Sequence, residues 1–176
     1  MTGLSTTLVL GGARSGKSTF AEGMITDCGL ARLYLATATI GDEEMRQRVD
    51  RHRDRRRGDW TTIEEPIALV DRLAELCRPD RAILVDCLTL WLSNLMLAEG
   101  DFEAEAARLA QFLGEAACPV VLVSNEVGLG LVPDNPLGRA FRDAQGRLNQ
   151  KVAAAVPNVV FVAAGLPLWL KRCKEF

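Results

Sequence analysis

The chain has 176 residues, of which 48% are hydrophobic and 25% charged, with a formal net charge of −2. That length and balance suit a single folded domain over residues 1–176 and exclude a disordered chain. The slight acidity supplies no overall attraction to nucleic acid or to an anionic membrane.

Short, continuous apolar runs alternate with longer segments of helical spacing. The runs Thr7–Leu10, Arg32–Ala36, Ala82–Asp86, Val120–Ser124 and Val159–Ala163 are predicted as strands buried on both faces. Between them the spacing predicts helices over Lys17–Asp27, Asp42–Arg56, Ile67–Leu76, Asp101–Ala116 and Pro136–Ala155. Strand alternating with helix implies parallel β-α-β units, hence a mostly parallel sheet with helices on both faces. Ligands in such a fold sit beyond the carboxyl ends of the strands.

The first strand runs into Gly11-Gly12-Ala13-Arg14-Ser15-Gly16-Lys17-Ser18, a complete G-x-x-x-x-G-K-[ST] phosphate loop. Its glycines let backbone amides turn inward on phosphate oxygens, and the helix start adds partial positive charge. Lys17 is expected to reach the β- and γ-phosphates, and Ser18 to ligate magnesium. A phosphate loop also needs a carboxylate for that metal. Asp86, at the tip of the apolar strand Ala82-Ile-Leu-Val-Asp, supplies it, since an acid there is costly unless paired or metal-linked.

The segment Asp42–Arg57 starts acidic and ends in arginines, as the helix dipole favours, and Thr39 with Asp42 resembles a capping box. Met45, Val49 and His52 share one face, so the only histidine of the chain lies among arginines. Three readings fit: a packed structural histidine, a basic nucleic-acid patch, or an arginine clamp for a polyphosphate beside a nucleophilic imidazole. Interleaved aspartates argue against the second. Further on, Asn125 and Glu126 follow a buried strand and either face the ligand crevice or close a polar turn. Arg139, Arg142, Arg147 and Asp143 read as a packing network.

Taken together, the blocks suggest a family. Besides the phosphate loop they are Ala-Thr-Ala (36–38), Glu-Met-Arg-x-Arg-Val-x-x-His-Arg (44–53), Trp60-Thr-Thr-Ile-Glu-Glu-Pro66, Asp86-Cys-Leu-Thr, Ser-Asn-Glu-Val-Gly-Leu-Gly-Leu-Val-Pro (124–133) and Gly-Arg-x-Phe-Arg-Asp-x-x-Gly-Arg-x-Asn-Gln (138–150). In that order, over nearly the whole chain, they resemble the bifunctional adenosylcobinamide kinase/adenosylcobinamide-phosphate guanylyltransferase of cobalamin biosynthesis. The resemblance implies a RecA-like P-loop fold and a trimer. It also implies two reactions with ATP or GTP and Mg2+: phosphorylation of the aminopropanol hydroxyl of adenosylcobinamide, then transfer of GMP from GTP through an enzyme histidine to give adenosylcobinamide-GDP. Carried onto this sequence, Gly11–Ser18 bind phosphates, with Lys17 catalytic, and Ser18 and Asp86 support the metal. Ala36, Thr37, Ala38 and Glu64 line the nucleotide site. His52 carries the guanylyl group, with Arg53, Asp54 and Arg55 beside it. Some members have two adjacent histidines on this helix; here Arg51 precedes His52. The rival reading within the enzyme class is a P-loop kinase of another small molecule that forms no covalent nucleotide adduct.

The surroundings follow from composition. Five scattered cysteines without a C-x-x-C pair suit a reducing cytoplasm better than a disulfide framework or a zinc site. The N-terminus has no signal-peptide pattern, and Asp86, Asn94, Gly165 and Pro167 interrupt the most apolar stretches, so no membrane span is expected. Expected partners are adenosylcobinamide and its phosphate, with no nucleic acid.

Overall fold

The computed structural model describes residues 4–39 and 60–173. Seven strands form one sheet: β1 (Thr7–Gly11), β2 (Ala31–Ala36), β3 (Trp60–Glu64), β4 (Arg81–Asp86), β5 (Val120–Asn125), β6 (Asn158–Ala163) and β7 (Leu166–Lys171). Their spatial order is β3-β2-β4-β5-β1-β6-β7, parallel throughout except for the β6–β7 hairpin. The described helices are α1 (Lys17–Thr26), α2 (Leu69–Leu76), α3 (Leu88–Leu97), α4 (Phe102–Glu115) and α5 (Pro136–Ala155).

The sheet is covered on both faces, as the alternation requires. On one face Val9, Leu84, Val121, Val123 and Val160 pack with Ala21 and Ile25 of α1. On the other Leu8, Leu10, Ile83, Val85 and Leu122 pack with Leu73 of α2, Leu92 of α3, Leu109 of α4 and Leu148 of α5. Each strand therefore sends alternate side chains into two separate cores, which is why the central strands read as unbroken apolar runs. All strands but β7 end in register on one side of the sheet: Ala36 lies opposite Asp86 and Glu64, and Gly11 opposite Asn125.

Differences from the sequence expectation have physical causes. The helix expected from Ile67 begins at Leu69, because Glu65 Oε1 accepts the amides of Ile67 (3.1 Å) and Ala68 (2.8 Å) ahead of it. Asp101 caps α4 by accepting from the Ala104 amide at 3.1 Å, and Asn135 caps α5 through the Gly138 amide at 2.7 Å. Three elements were not anticipated: β3, α3 and β7. The helix expected over Asp42–Arg56, with its capping box, lies outside the described residues. Of the α5 arginines expected in a packing network, Arg147 meets Glu103 of α4 at 2.8 Å, beside Lys151 at 2.9 Å, whereas Arg139 donates to the Pro133 carbonyl and Arg142 pairs with its neighbour Asp143. Among the described residues no helix is long and apolar enough to cross a membrane.

Candidate active site

The phosphate loop joins β1 to α1, and its shape is set by close backbone contacts. A Cβ at Gly11 would stand 2.5 Å from both Ser15 Oγ and the Val162 carbonyl oxygen. Gly16 has φ +93°, and a Cβ there would lie 3.0 Å from Gly165 Cα, in the β6–β7 turn. The same turn holds the loop directly, the Gly165 amide donating to the Ser15 carbonyl at 2.8 Å. Antiparallel β7 thus has a role at the site: its turn buttresses the loop from outside. Gly16→Ala is expected to cost about 1–3 kcal/mol of stability, because an L side chain is strained at that φ and backbone blocks its Cβ. Denaturant unfolding of the variant measures it.

Lys17, the first residue of α1, is 7% exposed and donates to the Gly12 carbonyl at 3.0 Å. A buried ammonium is costly unless it is paired, so the loop holds it over its own backbone, close to where phosphate oxygens would sit. Ser18 follows on the helix. Asp86 ends β4 on the α1 face of the sheet, and one of its oxygens, Oδ2, accepts from the Tyr34 hydroxyl at 2.9 Å. Sequence reasoning missed Tyr34. It is an apolar-looking strand residue 52 positions from its partner, brought close only by β2–β4 pairing. The donor set suits magnesium, which takes a hydroxyl, a carboxylate and phosphate oxygens while keeping waters of its own.

Ala36, Thr37 and Ala38 continue from the tip of β2. Thr37 is fully buried: its hydroxyl donates to the Cys87 carbonyl at 2.7 Å and accepts from the Cys87 amide at 2.8 Å. Its part is to lock the end of β2 to the residue after Asp86. The Asp86–Cys87 peptide is cis. Glu64 is exposed at the tip of β3, opposite Ala36. Asn94 of α3 donates to the carbonyls of Thr37 (2.8 Å) and Pro66 (3.1 Å), which flank residues 40–59 in the sequence. His52, Arg53, Asp54 and Arg55 lie outside the described residues.

Burial, with the neighbouring Asp86 charge second, pushes the Cys87 thiol up from 9.0 to about 11. Between those values the folded chain keeps a proton that the unfolded chain has lost, so stability declines as pH rises from 9 towards 11. Cys87 alone accounts for about 3 kcal/mol of that decline. Denaturant midpoints measured across this range should fall less steeply for Cys87→Ala than for the wild type.

At the tip of β5 a second polar cluster adjoins the loop. The Ser124 hydroxyl donates to Asn149 Oδ1 at 2.6 Å, and Gln145 Nε2 donates to both Ser124 Oγ and Asn149 Oδ1 at 3.0 Å. Asn149 Nδ2 then reaches the Asn125 carbonyl at 3.1 Å. The Glu126 amide donates to the Gly11 carbonyl at 3.1 Å.

A glycine loop between strand and helix, a buried lysine on that helix and a carboxylate on a nearby strand tip together define a P-loop nucleotide-binding protein. Solved structures of the same fold agree. They include the flagellar accessory protein FlaH of Methanocaldococcus jannaschii (TM-score 0.55, 12% identity, 98% of this chain and 81% of that one) and the RadB recombinase (TM-score 0.52, 15% identity, 89% and 73%). The fold is therefore RecA-like.

Within that class, residues 7–170 match the model of the cobinamide kinase / cobinamide phosphate guanyltransferase family, and the chain belongs to it. It is 48% identical to the bifunctional adenosylcobalamin biosynthesis protein CobP of Pseudomonas aeruginosa over 166 residues, 93% of this chain and 96% of the relative. It is 42% identical to the bifunctional adenosylcobalamin biosynthesis protein CobU of Salmonella typhimurium over 179 positions, 93% of this chain and 98% of the relative.

Proposed function

We propose that the chain is a cytoplasmic enzyme that carries out two reactions on one nucleotide site. In the first, the hydroxyl of the aminopropanol arm of adenosylcobinamide attacks the γ-phosphorus of ATP or GTP, and a nucleoside diphosphate leaves. In the second, a nitrogen of His52 attacks the α-phosphorus of GTP, the bond to pyrophosphate breaks, and a phosphoramidate forms. A phosphate oxygen of adenosylcobinamide phosphate then attacks the same phosphorus, giving adenosylcobinamide-GDP and restoring the imidazole.

Backbone amides of Gly11–Ser18 bind and orient the phosphates, and Lys17 draws charge from the β- and γ-oxygens. Ser18 and Asp86 would hold magnesium, which when bound would supply positive charge to the phosphates. Tyr34 fixes the Asp86 carboxylate by its hydrogen bond. Ala36, Thr37, Ala38 and Glu64 border the nucleotide on the β2–β3 side, and Arg53, Asp54 and Arg55 flank the nucleophile. The active assembly is a homotrimer.

The observation that carries this reading is a fully assembled phosphate loop in a chain of this family whose sequence holds one histidine, in an arginine-rich segment. Mass spectrometry of protein incubated with GTP and magnesium tests it. The expected result is one GMP added per chain, lost in acid and retained in alkali. Protein that transfers GMP to the phosphorylated corrinoid without ever carrying the adduct overturns the covalent route.

A further inference from the structure

β5 ends in an arrangement that the two reactions described above leave unexplained. Val121 and Val123 pack on the α1 face with Val9 and Leu84, so strand alternation sends the Asn125 side chain to that same face. Gly11 and Asp86 end their strands on it too. Since β5 lies between β4 and β1, Asn125 stands between the carboxylate strand and the phosphate-loop strand, opposite Gly11 in register.

The main chain of Asn125 is held on both sides. Its amide donates to Thr89 Oγ1 at 2.9 Å, and its carbonyl accepts from Asn149 Nδ2 at 3.1 Å. Asn149, which clamps it from α5, and Gln145, which donates to Asn149 Oδ1, are themselves buried. Against this complete satisfaction of the backbone, Asn125 Oδ1 is buried with no hydrogen-bond partner among the described residues. An orphaned carboxamide oxygen is a net cost to the fold that an alanine or valine would avoid. Such an atom, rigidly mounted and aimed beside a phosphate loop, marks a contact made only when ligand is present.

We infer that the Asn125 carboxamide contacts the reacting end of the bound triphosphate, with Asn149 and Gln145 as its positioning residues. A carboxamide presents a donor and an acceptor side by side. Nδ2 donates to a γ-phosphoryl oxygen, and Oδ1 accepts from the hydroxyl that attacks this phosphorus. One side chain thereby aligns nucleophile and target, a gain in proximity rather than in acid–base chemistry. The inference rests on the kinase half of the proposed function, but its first test does not need the corrinoid.

Equilibrium binding of ADP and of a non-hydrolysable ATP analogue, with magnesium, is compared for wild type and Asn125→Ala. The variant is expected to lose about tenfold in affinity for the triphosphate analogue and almost nothing for ADP. Phosphorylation should fall about a hundredfold in kcat, and more than GMP transfer does, because the latter reacts at the α-phosphorus. Asn125→Asp, of the same size, should fold and also discriminate against the triphosphate, since its charge repels the γ-phosphate. Asn149→Leu should lower kcat for phosphorylation while leaving the nucleotide KM within about threefold.

Unchanged affinity for both nucleotides and unchanged phosphorylation in Asn125→Ala would overturn the inference. So would an equal loss for ADP and the analogue with a lowered thermal midpoint, which marks a purely structural role. Failure of the kinase reading looks different: wild-type protein would bind both nucleotides and phosphorylate nothing.

Discussion

His52→Ala is expected to form no GMP adduct and to slow guanylyl transfer by at least about a thousandfold, while phosphorylation stays within about tenfold of the wild type. The asymmetry follows from where each reaction occurs. Phosphorylation involves the γ-phosphorus, and its nucleophile is the hydroxyl of the substrate. Guanylyl transfer through two displacements needs a nitrogen nucleophile at the α-phosphorus, and the sequence contains no second histidine to replace it. Without the imidazole, a weakly nucleophilic phosphate monoester would have to displace pyrophosphate directly. His52→Asn keeps some hydrogen bonding but cannot form the P–N bond, so it should behave like the alanine variant. Steady-state rates of both half-reactions, with intact-mass spectra of the protein, decide the matter. An adduct that survives in His52→Ala means another side chain carries the GMP, and the assignment of His52 falls.

What the sequence made legible followed from local pattern. The phosphate loop could be read because its chemistry is confined to eight consecutive residues, Gly11–Ser18, between a strand and a helix. The five anticipated strands lie within a residue of their observed ends, since burial on both faces confines polar residues such as Thr7, Arg32 and Ser124 to their end positions. The elements that escaped have weaker or contradictory patterns. Helix α3, Leu-Thr-Leu-Trp-Leu-Ser-Asn-Leu-Met-Leu, buries Leu88, Trp91, Leu92 and Leu95 on one stripe, but its less buried side carries Leu90, Met96 and Leu97, so polar residues do not mark out a helical period. Strand β3 is an edge strand of five residues, none of them buried. Strand β7 carries Pro167, which only an edge position tolerates.

The site divides in the same way. Asp86 was legible as an acid closing an apolar run, whereas Tyr34, which orients it, and Gln145 and Asn149, which brace β5, looked like ordinary strand and helix residues. Their importance arises from pairings across 52, 21 and 24 positions, in the Tyr34–Asp86, Gln145–Ser124 and Asn149–Asn125 contacts. No periodicity within one element encodes such a meeting. Thr37 was legible as a member of a motif but not in its part: a fully buried hydroxyl spent on both backbone groups of Cys87 shapes the wall of the site from behind.

Lys17→Met should give the opposite signature to His52→Ala by depressing both reactions together, each by about a hundred- to a thousandfold in kcat/KM. Both depend on charge leaving through the same β- and γ-oxygens: phosphorylation strips the γ-phosphoryl group from a diphosphate, and guanylyl transfer expels those two groups as pyrophosphate. A lysine at the first residue of α1 is placed by the loop and not by the identity of the nucleophile, so under the proposed function it serves both. Methionine keeps the length and apolar stem of lysine and removes only the ammonium. In the free protein Lys17 is 7% exposed and its ammonium donates to the Gly12 carbonyl, so its removal relieves a desolvation cost and forfeits charge-assisted hydrogen bonding. These opposing terms, each about 1–3 kcal/mol, nearly cancel. The variant should therefore unfold at a denaturant midpoint close to that of the wild type while catalysing almost nothing. If the midpoint collapses along with activity, Lys17 is a strut of the loop; if activity survives, the phosphates are gripped by the backbone amides alone. A variant that stays folded and loses both reactions identifies the charge itself as what the two chemistries share.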